Sequence, residues 1–131
     1  MKYLADTHVL LWSFFAPERL SATIQAILLD EACDIYYSPI SLWEISIKYG
    51  LNKLQLGGMT PEAFYEVLDE SYFLCKPVEP FLAITNFRLP RHHKDPFDRF
   101  LVWEAIKNDY TLLSADKAVA GYAQEGLKVA W

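Results

Sequence analysis

A chain of 131 residues that is 53% apolar and 15% aromatic has the length of one domain and enough apolar side chain to bury a core. No apolar run reaches the roughly 18 residues a membrane span needs, and the opening MKYLADTHVLLWSFFAPERL, with its early acid and no small-residue cleavage site, does not read as a signal peptide. A formal net charge of −5 excludes indiscriminate coating of nucleic acid, though not an enzyme that grips it locally through metal ions and a small basic patch.

Lys2 to Ala5 is a short apolar strand that stops at Asp6, and DTHVLLWSFF is a helix ending before Pro17. Ser21 caps a second helix, SATIQAILLDE, and DIYYS from Asp34 to Ser38 is a strand closed by Pro39. SLWEISIKYGLNKL is helical, with Gly50 an interruption or an end, and Gly57-Gly58 is a loop. Thr60 caps TPEAFYEVLDES, with Pro61 at its first position. YFLCKPV is a strand, Pro80 to Phe87 a short helix and RLPRHHK a loop. Asp95-Pro96 opens the helix DPFDRFLVWEAIKND; TLLS is a strand, DKAVAGYA a brief helix and LKVAW a last edge strand.

Strands alternating with helices imply a single α/β domain over residues 1–131: three layers, a mostly parallel sheet of about four or five strands, and helices on both faces. Sites in such folds collect beyond the carboxyl ends of strands. Cys33 and Cys75 form no CxxC and read as buried thiols in a reducing compartment. The apolar surplus calls for a hydrophobic surface used in dimerisation or against a partner.

Four acids stand where chemistry would want them. Asp6 follows the strand YLA, and Asp116 follows TLLSA; each is equally at home as a helix N-cap. Glu44 shares a helical face with Ile40, Ile47 and Leu51, beside Trp43, and has Lys48 as an i+4 partner. Asp98 begins the face that continues through Leu101, Val102 and Ala105, although a first-turn acid also serves the helix dipole. Brought together, these four anions would repel one another without a cation. Carboxylates alone suit Mg²⁺ or Mn²⁺, no Cys/His cluster suggests zinc, and such a site suits phosphodiester hydrolysis with one cation or two.

Thr7 and Ser114 are hydroxyls beside two of the acids and can orient a water or a carboxylate, or simply serve as cap and turn groups. Arg88, Arg91, His92, His93, Lys94 and Arg99 form a basic stretch, from which Arg91, Lys94 and Arg99 are candidates for holding the phosphates that flank a scissile bond. Adjacent histidines point apart in most conformations, which leaves the metal to the acids. His8 reads as structural.

The order DTHVLLW after a first strand, a Glu in the third helix, then HKDPFDRFLVWEA and LLSAD resembles PIN-domain proteins over essentially the whole chain. Within them it looks most like the VapC toxins of bacterial type II toxin–antitoxin systems. The resemblance implies a Mg²⁺- or Mn²⁺-dependent cytoplasmic endoribonuclease that inhibits translation, with Asp6, Glu44, Asp98 and Asp116 as its acidic quartet and Asp95 in support. Serine stands at Ser114, where such proteins often have threonine, and keeps the hydroxyl. It further implies a homodimer and a cognate antitoxin, whose apolar segment would lie on early helices rich in Trp12, Phe14, Phe15 and Trp43. The alternative is a PIN-like module that binds a partner without catalysis. A phosphotransfer receiver needs adjacent acids after its first strand, and YLADTH offers one.

Overall fold

Alternation along the first strand divides the core in two. In the computed structural model, which describes residues 1–131, Tyr3 and Ala5 of β1 (Lys2–Ala5) turn to one face of the sheet and Leu4 to the other. β2 (Asp34–Tyr37) and β3 (Leu74–Cys75) lie to one side of β1, and β4 (Thr111–Leu113) and β5 (Lys128–Ala130) to the other. The order is β3-β2-β1-β4-β5 and every pairing is parallel, with Tyr3 opposite Ile35 on one side and Thr111 on the other.

One face carries α1 (Thr7–Phe15), α2 (Ala22–Leu29), α3 (Pro39–Gly50) and α4 (Pro61–Asp69), whose Val9, Leu10, Ile24, Ile45, Phe64 and Leu68 are buried with Ile35, Tyr37 and Leu113. The other carries α5 (Pro80–Thr85), α6 (Pro96–Asn108) and a 3-10 segment, Lys117–Glu125, which pack Leu82, Leu101, Val102, Ala105 and Tyr122 against Leu4 and Leu112. Each large aliphatic side chain so buried contributes about 1.5–3 kcal/mol relative to exposure. The result is the three-layer α/β arrangement expected, with a wholly parallel sheet of five strands.

Several expectations need correcting. The YFLCKPV strand shrinks to Leu74–Cys75, because Pro77 has no amide to donate; the ladder ends with the Lys76 N–H on the Tyr37 carbonyl at 2.8 Å. α3 ends at Gly50, one of the two outcomes expected there, but the segment after Asp116 is 3-10 rather than α-helical, closed by Gly126 at φ 95°. Both cysteines are free, but Cys75 sits exposed on the edge strand. Trp12, Phe14 and Phe15 are partly buried against the core while Trp12 and Phe15 still line a surface cavity, Trp43 is exposed, and a second apolar group, Phe81, Ile84 and Phe87, stands exposed around α5.

Glu104, on α6, is 0% exposed and neither carboxylate oxygen has a hydrogen-bond partner. Burial first, then the charge of Glu79, pushes its pKa up to about 7; the nearby Ser38 hydroxyl and Lys76 soften the shift without a well-formed bond to it. The native state therefore holds this proton above the pH at which the unfolded chain releases it, so stability is greatest below the ordinary Glu value and falls as pH rises through about 7. Glu104→Gln is expected to leave the melting temperature unchanged near about pH 4 and to raise it by several degrees near about pH 8. Thermal melts of both proteins across that range check it.

Candidate active site

Strand order reverses at β1, since the chain runs outward to β2 and later returns to the opposite side at β4. Loops leaving β1 and β4 therefore part and open a crevice at their carboxyl ends. Asp6 leaves β1 there. Its backbone N–H donates to the Leu113 carbonyl at 3.0 Å, tying it to the end of β4, and its side chain caps α1 by accepting the Val9 N–H at 2.8 Å. Asp116 caps the 3-10 segment after β4, accepting the Ala118 N–H at 2.9 Å, while its own N–H donates to Ser114 Oγ at 3.1 Å. Capping and a place in the crevice are compatible, because a cap occupies only one carboxylate oxygen. Asp6 and Asp116 line one cavity of about 250 Å³ with His8, Trp12 and Ala115.

α6 delivers Asp98 from another direction. Asp95 accepts the N–H groups of Phe97 and Asp98 at 2.8 and 3.3 Å, with Pro96 at the first helical position, so Asp98 lies in the first turn. Leu101, Val102 and Ala105 follow it into the core and are fully buried.

Glu44 comes from α3 and is 2% exposed. The face that carries it inward is Ser41, Glu44 and Ile45; Ile47 and Leu51 are exposed, so the apolar stripe expected from spacing is rotated. Lys48 does pair with it, Nζ to Oε2 at 2.5 Å. The other oxygen, Oε1, is sealed from solvent with no donor. A buried anion in that condition calls for a cation or a bound water, and an all-carboxylate donor set fits a hard divalent ion.

Sequence reasoning set His93 aside, on the ground that adjacent histidines point apart, yet the ring reaches the acids. Its Nε2 lies 2.7 Å from Asp116 Oδ2 and 3.3 Å from Asp98 Oδ2, and His93, Asp98 and Asp116 offer ligand atoms within 4.8 Å of one another. Position was the available signal: His93 stands two residues before the cap Asp95, where the chain turns back over the first turn of α6.

The electrostatics record the crowding. Burial above all raises the Asp6 pKa, with Asp116 adding to it, against the Val9 N–H, the Ser114 hydroxyl and His8. Asp98 is pushed up to about 7 by burial, then by the charges of Asp95, Asp6 and Glu44, with His93 opposing. For Asp116 burial also acts upward, but the His93 hydrogen bond and the Ala118 N–H prevail and hold it below the ordinary carboxylate range. Lys48 goes the other way: burial disfavours its charge, yet Glu44, Asp95 and Asp98 outweigh that and keep it protonated above the usual lysine value. Asp116 thus acts on Asp6, and Asp6 and Glu44 act on Asp98, so acids distant in sequence lie close enough for their charges to interact.

The remaining predicted residues divide. Ser114 supports Asp6 and Asp116 directly. The Thr7 hydroxyl donates to Ser41 Oγ at 2.9 Å, tying α1 to α3, and Thr7 lines the same cavity as Glu44. Arg91 and Lys94 are exposed on the loop ahead of α6. Arg99 is not available to a phosphate: it is 6% exposed, and its guanidinium donates to the carbonyls of Leu89 and Pro90, both at 3.0 Å, and to the Tyr122 hydroxyl at 3.3 Å. His8 packs against Trp12, ring centroids 5.6 Å apart and the planes tilted by 45°.

A PIN-domain family model matches residues 3–124. Among solved structures, the chain is similar to one chain in the crystal structure of VapBC2 from Rickettsia felis bound to a DNA fragment from their promoter, at 18% identity and a TM-score of 0.68, covering 100% of this chain and 99% of that one. It is also similar to a chain of FitAcB from Neisseria gonorrhoeae, at 18% identity and a TM-score of 0.64, covering 97% and 95%. A chain of FitAB bound to the IR36 DNA fragment gives 19% identity and a TM-score of 0.63, covering 98% and 93%. No curated protein sequence matches. At such identities the structural likeness establishes the fold.

Proposed function

The chain belongs to the PIN-domain family, and on that premise we propose that it is a Mg²⁺- or Mn²⁺-dependent endoribonuclease, the VapC-type toxin of a type II toxin–antitoxin pair that inhibits translation by cutting RNA. One observation supports the reading: Asp6, Glu44, Asp98 and Asp116, supplied by different elements, are near enough that Asp116 acts on Asp6 and that Asp6 and Glu44 act on Asp98, and one buried Glu44 oxygen has no partner.

Those four carboxylates would hold the ion. A divalent cation bound there supplies Lewis acidity at the phosphoryl group and acidifies a water. The protein does the rest. Lys48 fixes one Glu44 oxygen and directs the other inward. Asp95 sets the start of α6 and so the reach of Asp98. Arg91 and Lys94, on the exposed loop beside the acids, are placed to hold phosphates flanking the scissile bond.

The antitoxin we assign to the groove between α1 and α3, a cavity of about 350 Å³ lined by Leu11, Trp12 and Phe15, rimmed by Arg19 and Lys53 and touching Glu44. The exposed Phe81, Ile84 and Phe87 offer an apolar face for a homodimer. No helix is long and apolar enough to cross a membrane, and we place the enzyme in the bacterial cytoplasm with its substrate.

The purified protein is expected to cleave RNA when Mg²⁺ or Mn²⁺ is supplied, to stop when a chelator is added, and to lose at least about a hundredfold in rate on Asp6→Asn. Equal cleavage by parent and variant would exclude this site. Calorimetry that detects no Mn²⁺ binding would favour the non-catalytic module instead.

A further inference from the structure

We propose that His93 is a positioning residue of the acid cluster, bridging the carboxylates of Asp98 and Asp116 through a proton fixed on Nε2; the role rests on the metal-site reading above. Three contacts assign it. The backbone N–H of Asp95 donates to His93 Nδ1 at 3.0 Å, so in the neutral ring that nitrogen carries the lone pair and Nε2 carries the hydrogen. Nε2 lies 2.7 Å from Asp116 Oδ2 and 3.3 Å from Asp98 Oδ2. The same N–H therefore spans two anions supplied by different elements, α6 and the loop after β4.

The ring is not free to wander. The backbone N–H groups of His92 and His93 donate to the Tyr122 hydroxyl at 3.1 and 3.0 Å, and that hydroxyl donates to the Pro90 carbonyl at 2.8 Å. Arg99 grips the Leu89 and Pro90 carbonyls from beneath. A loop held at Leu89, Pro90, His92 and His93 gives the imidazole one place to stand.

Direct ligation through Nε2 would need the hydrogen moved to Nδ1, where it would face the Asp95 N–H. Donation to the ligating acids is the role this geometry supports. Two like charges separated only by water drift apart, whereas a shared donor keeps them at chelating separation before the ion arrives. Groups that orient ligands in this way are worth about tenfold to a hundredfold in metal affinity.

His93→Ala, His93→Gln and the parent, each first checked for the same circular dichroism and cooperative melting, would be titrated with Mn²⁺ by calorimetry. The alanine variant is expected to bind about tenfold to a hundredfold more weakly, and glutamine, whose terminal amide nitrogen reaches the same place and can donate, to recover most of the loss. In the metal-free parent, two-bond ¹⁵N–¹H correlation should report the Nε2–H tautomer, a readout independent of any ion. An Nδ1–H tautomer, or a His93→Ala protein that binds Mn²⁺ as tightly as the parent, overturns the role and leaves the nuclease reading standing. Loss of Mn²⁺ binding by the parent itself overturns both.

Discussion

Asp98→Asn is expected to reduce RNA cleavage by at least about a hundredfold and, in the metal-free protein at neutral pH, to raise stability. Both effects come from one fact. Asp98 is half-buried beside Asp95, Asp6 and Glu44, and burial followed by those charges pushes its pKa up to about 7. Because the native state holds the proton more tightly than the unfolded chain, stability is greatest below the ordinary Asp value and falls as pH rises through about 7. Asparagine is neutral throughout, so the fall disappears; the gain above that range is on the order of 1–3 kcal/mol. A cation that binds the folded protein stabilises it by mass action. Saturating Mn²⁺ should therefore raise the melting temperature of the parent more than that of the variant. Melts with chelator and with Mn²⁺, paired with cleavage assays, decide it: a variant less stable than the parent in chelator, or equally stabilised by Mn²⁺, would remove Asp98 from the metal site.

Such a carboxylate is unfavourable where it stands, and this is why it could be read from the sequence. An acid at the head of the Leu101, Val102 and Ala105 face departs from the pattern of a soluble helix, just as Asp6 departs by stopping an apolar strand dead. Local pattern also located the strands, since the first four β-runs are short and closed by Asp, Pro or a polar turn. Where reading failed, the deciding contacts were distant in sequence or of uncertain rotation. Glu44 was found on a stripe through Ile47 and Leu51 that the fold turns outward; its burial comes instead from packing of α3 between α1 and α6, which one helix's spacing does not show. His93 reaches Asp116 only because Tyr122, beyond β4, fixes its backbone. Glu104 looks like an ordinary helix acid until α6 is laid against the sheet. Arg99 looked like a phosphate contact because it follows a basic run, and nothing local reveals that the preceding loop curls its carbonyls around it.

That last residue gives the largest expected effect on folding. Arg99→Ala should destabilise the protein by about 3–5 kcal/mol, because two charge-assisted hydrogen bonds are lost: the buried Leu89 carbonyl is left without a donor and the Pro90 carbonyl keeps only the Tyr122 hydroxyl. Arg99→Lys should recover little, since one ammonium cannot reproduce the forked geometry that serves both carbonyls and the Tyr122 hydroxyl together. Damage would not stop at stability. With the loop released, the backbone N–H groups of His92 and His93 lose part of their anchor at Tyr122, and the imidazole between Asp98 and Asp116 loses its fixed seat. Denaturant unfolding should accordingly show a lowered midpoint with an unchanged slope, and Mn²⁺ binding should weaken in the fraction that remains folded. A surface arginine that held RNA would behave oppositely, leaving the unfolding midpoint untouched and changing RNA affinity and its salt dependence by about one phosphate contact. Measuring midpoint and salt slope on the same variant separates a structural Arg99 from an RNA-binding one, and a normal midpoint with a reduced slope would return the residue to the substrate.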